Sequence, residues 1–392
     1  MQPAPARSTS PPASAFRIPF NRPAPIGQEL EYVAQAVASG KLATDGEFCR
    51  RATDLLRERL GTPGVLLMSS CTNALEIAVL LAGIGPGDEV ILPSYTFVST
   101  ANAVVRAGGT PVFVDVRRDT INLDEERVAA AIGPRTRAIL PVHYAGVGCA
   151  MHELSSLARA RGLRLIEDAA HAIDARYDGR PLGTLGDFGT FSFHETKNVV
   201  AGEGGALVVA DLGLMPRAEV LRNKGTDRAR FERREVDRYT WVGPGSSCGP
   251  SELQAAFLCA QLEGMTQITA RRRELFQRYL TALQPLADAG LIRLPVIPVQ
   301  CQPNAHVFYL IARNREERVA LQSSLHARGI QASTHYVPLH DSPFGKVIGR
   351  TPFPLPVTEE VAACLLRLPL YHALTDEQAD EVAAAVLAFF GR

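Results

Sequence analysis

Between residues 65 and 166 the chain alternates short apolar stretches with longer segments of helical length. Val65–Met68, Glu89–Leu92, Pro111–Val114, Arg137–Val142 and Arg164–Ile166 are brief and rich in β-branched residues, the pattern of strands buried on both faces. The segments Thr72–Ala82, Ser99–Ala107, Asp124–Ile132 and Met151–Arg161 fill the gaps between them. Strand and helix alternating at this spacing predict an α/β fold. Its mostly parallel sheet would be covered by helices on both faces and joined by right-handed crossovers.

The flanks extend this pattern. Upstream, Gly27–Ser39 predicts a helix with Leu30, Val33, Ala34 and Val37 as its apolar positions, followed by a polar turn at Thr44-Asp45-Gly46. Downstream, Ala206–Val209 predicts another strand and Leu214–Arg222 a helix with Pro216 in its first turn, where a missing amide costs little. The polar section from Asn223 to Arg238 has the length of a binding or subunit-contact loop. A Gly- and Pro-punctuated turn from Gly243 to Pro250 then leads into a helix over Ser251–Leu262. The helix Gln267–Leu286, with Leu275, Tyr279, Leu280 and Leu283, links to a smaller C-terminal α+β unit. That unit holds strand-like His306–Ile311, a helix over Arg315–Arg328, the segment Ala332–Pro338 and an amphipathic helix Asp376–Phe390. The expected division is a disordered Pro-, Ala- and Ser-rich tail at 1–16, a large domain at 17–262 and a small domain at 263–392.

Composition narrows the classes of function. Forty-one basic and 41 acidic residues cancel, so no global field draws the chain to nucleic acid or an anionic membrane. Apolar residues make up 46% of the 392, and no run approaches the roughly 20 apolar residues that span a bilayer. The seven cysteines are scattered, odd in number and never in a Cys-x-x-Cys pair, which predicts a reducing cytoplasm and no zinc site. The expected partner is a small molecule.

Candidate chemistry begins at Gly189-Thr190-Phe191-Ser192-Phe193-His194-Glu195-Thr196-Lys197-Asn198, followed by the glycines at 202, 204 and 205. A lysine in a loop is usually a solvated charge. Here it follows a packed Phe-Ser-Phe run and precedes a glycine turn, so its amine is poised to enter a cleft. Upstream, Leu165-Ile166-Glu167-Asp168-Ala169-Ala170-His171 is an apolar strand ending in two acids and a histidine, at the strand end where open α/β sheets bind ligands. A buried acid there needs a cation. Pyridoxal phosphate (PLP) brings one in its pyridinium nitrogen and needs a lysine for its aldehyde. No Gly-x-Gly-x-x-Gly follows the first strand and no Gly-Lys-[Ser/Thr] closes a Gly-rich loop, so dinucleotide and P-loop readings lose their support. Instead Ser69-Ser70-Cys71-Thr72-Asn73 opens a helix; this is ordinary capping chemistry and also a phosphate site.

Four stretches occur together: Ser-Ser-Cys-Thr-Asn-Ala-Leu at 69–75, Pro-Ser-Tyr-Thr-Phe-Val-Ser-Thr at 93–100, Glu-Asp-Ala-Ala-His at 167–171 and Ser-Phe-His-Glu-Thr-Lys-Asn at 192–198. In this order they resemble the DegT/DnrJ/EryC1/StrS sugar aminotransferases, PLP enzymes of fold type I, over residues 18–392. Ile-Pro-Phe-Asn-Arg-Pro at 18–23, Ser-Gly-Lys-Leu at 39–42, Pro-Val-His-Tyr-Ala-Gly-Val at 141–147, Tyr-Thr-Trp at 239–241 and Gly-Ser-Ser at 245–247 are most similar to one branch. That branch makes dTDP-4-amino-4,6-dideoxy-D-galactose. The resemblance implies Lys197 as the lysine that takes the aldehyde, Asp168 as partner of the pyridinium nitrogen and His171 as donor to the cofactor's phenolic oxygen. It implies Phe97 against the pyridine face, and Ser70, Thr72, Asn73 and Ser192 at the phosphate. Ser247 stands where relatives carry an Asn that reaches the neighbouring subunit's phosphate, and Gly249 where they carry Arg. Lys41, Arg228 and His335 are candidates for the sugar nucleotide, each with a plain surface reading beside it.

The implied reaction takes L-glutamate as donor and the 4-keto group of a dTDP-linked sugar as acceptor, on a homodimer with shared sites. Lys197 argues against the branch with His in its place, which dehydrates the sugar. Three alternatives stay open: another 3-keto or UDP-linked sugar, a non-catalytic sugar-nucleotide-binding regulator, and a lysine lyase without PLP. The last has no use for Asp168 or the phosphate turn.

Overall fold

The computed structural model describes residues 16–23 and 25–391. The central sheet contains β1 (Val65–Met68), β2 (Glu89–Pro93), β3 (Thr110–Val114), β4 (Thr136–Ile139) and β5 (Arg164–Asp168). After the short ribbon strands β6 (Arg176–Tyr177) and β7 (Arg180–Pro181), the chain returns to it with β8 (Phe188–Ser192) and β9 (Gly205–Val209). The order across the sheet is β1-β9-β8-β5-β4-β2-β3. All neighbours are parallel except β9, which runs antiparallel to both β1 and β8.

Alternate residues of each strand serve opposite faces, and both faces are covered. Leu67, Ile91, Val112, Ile139 and Leu165 join one core with Ala52 and Leu56, and with Ala255 and Leu258. Met68, Val90, Leu92, Ala138 and Ile166 join a second with Ala74, Leu75, Ala101 and Val104. Two-sided burial explains why the strands read as continuous apolar runs instead of alternating ones. Each fully buried aliphatic side chain contributes about 1.5–3 kcal/mol.

The first four helices are α1 (Glu29–Ala38), α2 (Glu47–Leu60), α3 (Cys71–Leu81) and α4 (Val98–Arg106). In α1 the expected apolar face is turned outward. Tyr32 and Ala36 are buried, whereas Leu30 is 73% exposed and Val37 55%. Tyr32 wins the inward position because its hydroxyl donates to Glu263 and its ring lies 5.5 Å from that of Phe48. Helix α2 has no counterpart among the expected elements, although Phe48, Ala52, Leu56 and Leu60 repeat every four residues and are buried. Nor has β8, whose residues are buried in an unbroken row. The strand expected to reach Val142 ends at Ile139; Pro141 has no amide, and Val142 keeps only an isolated bridge to Asp168.

The C-terminal part is built on the long helix Met265–Asp288 and a three-stranded antiparallel sheet. Its strands are β10 (Ile292–Arg293), β12 (Phe308–Ala312) and β13 (Leu365–Leu368), in the order β10-β12-β13, while β11 (Cys301–Gln302) extends the β6–β7 ribbon. Leu275, Tyr279, Leu283, Phe308, Leu310, Leu366 and Val386 share its core. The N-terminal segment joins that core too, through Ile18, which bridges to Ile330. Of the expected disordered tail, residues 1–15 lie outside the described residues; Phe16 is buried, its ring 4.9 Å from that of His326.

Candidate active site

The carboxyl ends of β5 and β8 form the floor of a cavity of about 620 Å³. Asp168, the last residue of β5, lies there 4% exposed. Its Oδ2 accepts from Thr100 Oγ1 (2.8 Å) and its Oδ1 from the Ala170 amide (3.1 Å). Thr100 is itself held by Thr96 Oγ1 at 2.8 Å, one turn earlier. Burial pushes the Asp168 carboxyl up, and the two donors only partly offset it. The preceding acid, Glu167, points the other way and is saturated. It meets His143 Nε2 at 2.9 Å and the amides of Gly183, Leu185 and Gly186, so it anchors the loop beneath the floor.

Lys197 enters from the hairpin that joins β8 to β9. Phe191 and Phe193, both fully buried, fix the base of this hairpin. Backbone bonds from Phe193 to Gly204 and from Glu195 to Gly202 extend the β8–β9 pairing beyond the sheet, and the Lys197 amide turns back to the His194 carbonyl. The Lys197 side chain lines the cavity with Asp168. Its amine is pushed down to about 8, chiefly by burial, with Arg367 adding to the effect and Asp168 opposing it. The glycine at the far end of the hairpin has a steric role. A Cβ on Gly205 would lie 2.4 Å from Ser70 C and 2.5 Å from Cys71 N, so only glycine lets β9 pass the start of α3.

That start is the third wall. Ser70 caps α3, its Oγ accepting from the Asn73 amide at 3.1 Å, which leaves the amides at 71 and 72 without helical partners. Thr72 Oγ1 pairs with Ser99 Oγ at 2.8 Å, and Ser70, Thr72, Ser99 and Ser192 all line the cavity. Hydroxyls and free amides at a helix N-terminus suit a phosphate. Across from them His171 takes the Ala145 amide on Nδ1 (3.4 Å), so its proton resides on Nε2, which faces Tyr336 Oη at 3.1 Å. Burial holds the ring well below the usual histidine range.

Of the residues expected from sequence, Ser70, Thr72, Phe97, Asp168, His171, Ser192, Lys197 and His335 line this one cavity. Phe97 is 57% exposed at its rim. Asn73 does not line it; its Oδ1 is spent on Ser69 and Ser70. Lys41 donates to the Asp45 carbonyl in a separate polar cavity, Arg228 pairs with Glu232, and Ser247 is exposed and bridges to Asn223. At Gly249 a Cβ would lie 2.4 Å from Thr44 Oγ1 and 3.0 Å from Arg222 Nη2. The larger residue of the family pattern has no room there. The cavity also holds Thr100, Tyr336, Arg367 and His306, which the sequence pattern does not single out. The Thr96 and Thr100 pair, spaced one helical turn at the start of α4, and the lone arginine inside Leu365-Leu366-Arg367-Leu368, are the signals that could have found two of them.

The sequence profile of the DegT/DnrJ/EryC1/StrS aminotransferases matches residues 25–387. The chain belongs to that family. It is 34% identical over 377 residues to the spore coat polysaccharide biosynthesis protein SpsC of Bacillus subtilis (strain 168), covering 94% of this chain and 96% of SpsC. DesV of S. venezuelae, solved in complex with a ketimine intermediate, is 36% identical with a TM-score of 0.87, covering 96% and 99% of the two chains. Spr1654 of Streptococcus pneumoniae, 26% identical, has been solved in a PMP form and a PLP form, with TM-scores of 0.88 and 0.87. The PMP-form alignment covers 95% of this chain and 99% of Spr1654. The protein is therefore a sugar aminotransferase of fold type I that works with PLP.

The residues present fit that cofactor. Asp168 is a buried acid facing the cavity with two neutral donors and, among the described residues, no hydrogen-bonded cation, the environment a protonated ring nitrogen would complete. A lysine with a depressed pKa shares the cavity, and the capped N-terminus of α3 offers free amides for a dianion.

Proposed function

We propose that this enzyme transfers the amino group of L-glutamate to C4 of dTDP-4-dehydro-6-deoxy-D-glucose, yielding dTDP-4-amino-4,6-dideoxy-D-galactose and 2-oxoglutarate. The observation that carries the catalytic part is that one cavity is lined by Lys197, pushed down to about 8, and by the buried Asp168, whose hydrogen-bond donors among the described residues are neutral. The sugar assignment is supported by the branch-like stretches at 18–23, 39–42, 141–147, 239–241 and 245–247.

PLP, when bound, supplies an aldehyde for amines and a sink for the electrons of a broken Cα–H bond. Asp168 would keep a proton on the ring nitrogen, and the Thr100 hydrogen bond to Oδ2 favours the carboxylate form against burial. Lys197 would be the residue that holds the cofactor's aldehyde, and its neutral amine, when free, would carry a proton between the donor Cα and the cofactor C4′. An amine near 8 is well matched to that task at neutral pH. His171, with its proton on Nε2, donates to the phenolic oxygen. Ser70, Thr72 and Ser192 bind the phosphate with the α3 amides, and Asn73 holds the cap in shape. In the second half of the exchange the same lysine returns the proton to the sugar carbon.

The active form is a homodimer in this reading. A single chain leaves Trp241 78% exposed, Leu30 73%, Phe97 57% and Tyr239 51%, which is apolar surface that a second copy would cover. Ser247, Arg228 and Lys41, which miss the cavity of their own chain, would then approach the neighbouring one. The seven free, buried cysteines support a reducing cytoplasm, and no described helix is long and apolar enough to cross a membrane.

The test is the visible spectrum of the purified protein. It should show a PLP band that L-glutamate bleaches and that borohydride traps on Lys197; a band still reducible in Lys197→Ala refutes the lysine assignment. Incubation with L-glutamate and a panel of 3-keto and 4-keto dTDP and UDP sugars, read by mass, should aminate the 4-keto dTDP sugar. Amination of a 3-keto sugar alone would overturn the substrate.

A further inference from the structure

His306 is a cavity residue with no part in the proton transfers assigned to Lys197, Asp168 and His171. It stands just before β12, 5% exposed, with its ring 4.2 Å from that of His171. Burial holds both rings well below the usual histidine range, so both are neutral. A neutral imidazole carries one N–H and one bare lone pair, and the surrounding bonds decide which nitrogen has which.

For His306 a chain of three groups decides it. The Asn304 carbonyl can only accept, so the side of the Asn198 amide turned to it at 2.8 Å is Nδ2. Asn198 Oδ1 then faces His306 Nδ1 at 2.9 Å, and an oxygen that can only accept puts the ring proton there. Nε2 keeps the lone pair, and among the described residues nothing donates to it. His171 is the opposite tautomer, with its proton on Nε2. The two neighbouring rings thus give the cavity one donor and one acceptor.

The backbone that sets this up is strained. Ala305, directly before His306, has φ +52°, and Ala145, whose amide sets the tautomer of His171, has φ +57°. Residues with a Cβ seldom adopt this left-handed region, and such strain gathers at functional sites. Arg272, 3% exposed, holds the segment by donating to the carbonyls of Ala305 and His306, and Asn304 Nδ2 ties it to the carbonyls of His171 and Ile173.

We propose that His306 is a catalytic residue that holds, through Nε2, the water that releases the keto acid in the first half of the transfer, an assignment that rests on the transaminase reading of this cavity. Asn198, which orients His306, directly follows Lys197, and the lysine's charge is felt at the His306 ring, so the bare nitrogen lies close to the reacting amine. L-Glutamate brings no hydroxyl to meet it, whereas release of the keto acid consumes one water. The water's oxygen bonds to the donor's α-carbon as the carbon–nitrogen bond breaks, and both its protons end on the nitrogen that stays with the cofactor. Lys197 moves those protons; His306 accepts a hydrogen bond from one O–H and so turns an oxygen lone pair toward the carbon.

The experiment gives the PLP-loaded enzyme L-glutamate alone in D₂O and compares wild type with His306→Leu and the milder His306→Gln, with thermal melting and the PLP band as checks on folding and loading. NMR follows exchange of the Cα hydrogen for deuterium, which needs proton transfer only, and mass spectrometry follows 2-oxoglutarate, whose release needs the water. In His306→Leu release should slow about tenfold while exchange falls far less, so deuterated L-glutamate per 2-oxoglutarate should rise several-fold. His306→Gln, whose side-chain carbonyl can accept from the same water, should recover part of the release rate. Exchange and release falling together would assign His306 to packing. Unchanged release, with only amination of the keto sugar weakened, would assign the lone pair to a sugar hydroxyl. Either overturns the proposal. A wild-type enzyme that neither exchanges nor converts L-glutamate would instead overturn the donor reading beneath it.

Discussion

The floor of the cavity and its rim are built on different terms. At the floor every acid has donors from its own chain: Glu167 holds three amides and His143, and Asp168 is fixed by Thr100 and Ala170. At the rim, Phe97 is 57% exposed, while Trp241 at 78% and Ser247 lie on surface outside the cavity. The floor is held by bonds within one chain, whereas the rim leaves apolar side chains exposed. The floor's geometry is thus set by folding of the single chain, and the proposed dimer would act on the exposed surface.

The sharpest way to break this contrast is at the floor. Asp168→Asn keeps the shape and removes the charge proposed to hold a proton on the ring nitrogen, so transamination should fall about 1,000-fold while cofactor is still bound. A near-wild-type rate would mean that the floor does not supply the electron sink.

The next effect comes from pH. Burial makes the folded pKa of Lys197, about 8, lower than its ordinary value, so the amine loses its proton at lower pH in the folded protein than in the unfolded chain. Apoenzyme should therefore take up PLP at a rate that climbs about tenfold per pH unit from 6 and levels above about 8. Above about 8 the folded amine is neutral while the unfolded one still holds its proton, so ligand-free protein should gain stability as pH rises from about 8 toward the ordinary lysine range, with no such gain below about 8. A rate still climbing at pH 10 would show an ordinary, solvated lysine.

On the exposed surface outside the cavity, Trp241→Glu places a charge on an aromatic site without touching the cavity. If the proposed dimer uses this surface, sedimentation should show it weakened by about 10- to 100-fold in Kd, with activity becoming dependent on protein concentration. A variant that sediments and turns over like wild type would place the subunit contact elsewhere.

The smallest effect sharpens the description of the floor. Thr100→Val removes one hydrogen bond to Asp168, which should raise the carboxyl's pKa further and lower the rate about tenfold. The loss should be greatest at low pH, where Asp168 protonates first; a loss equal at all pH values would point to packing alone.

How much of this is legible in the chain depends on the range of the forces involved. The parallel strands are readable because burial on both faces makes each a continuous apolar run, and Lys197 and Asp168 because a charge beside such a run needs a reason. β8 escapes because Phe188-Gly189-Thr190-Phe191-Ser192 is only partly apolar, and it is buried by neighbours on both sides. The periodicity places α1 correctly but turns it the wrong way. Its strongest apolar residues, Leu30 and Val37, face outward because Tyr32 is fixed by Glu263, 231 residues away in sequence.

The sequence by itself determined the alternation of strands and helices, the lysine of the β8–β9 hairpin, the acid at a strand end and the capped turn of α3. These are local patterns of hydrophobicity and of side-chain and backbone chemistry. Only the tertiary structure decided that Thr100 supports Asp168, that Gly205 must be bare for β9 to clear Ser70, and that Asn198 sets the proton of His306. Each of these depends on a contact between segments far apart in the chain, and close packing, unlike periodicity, leaves no trace in the order of residues.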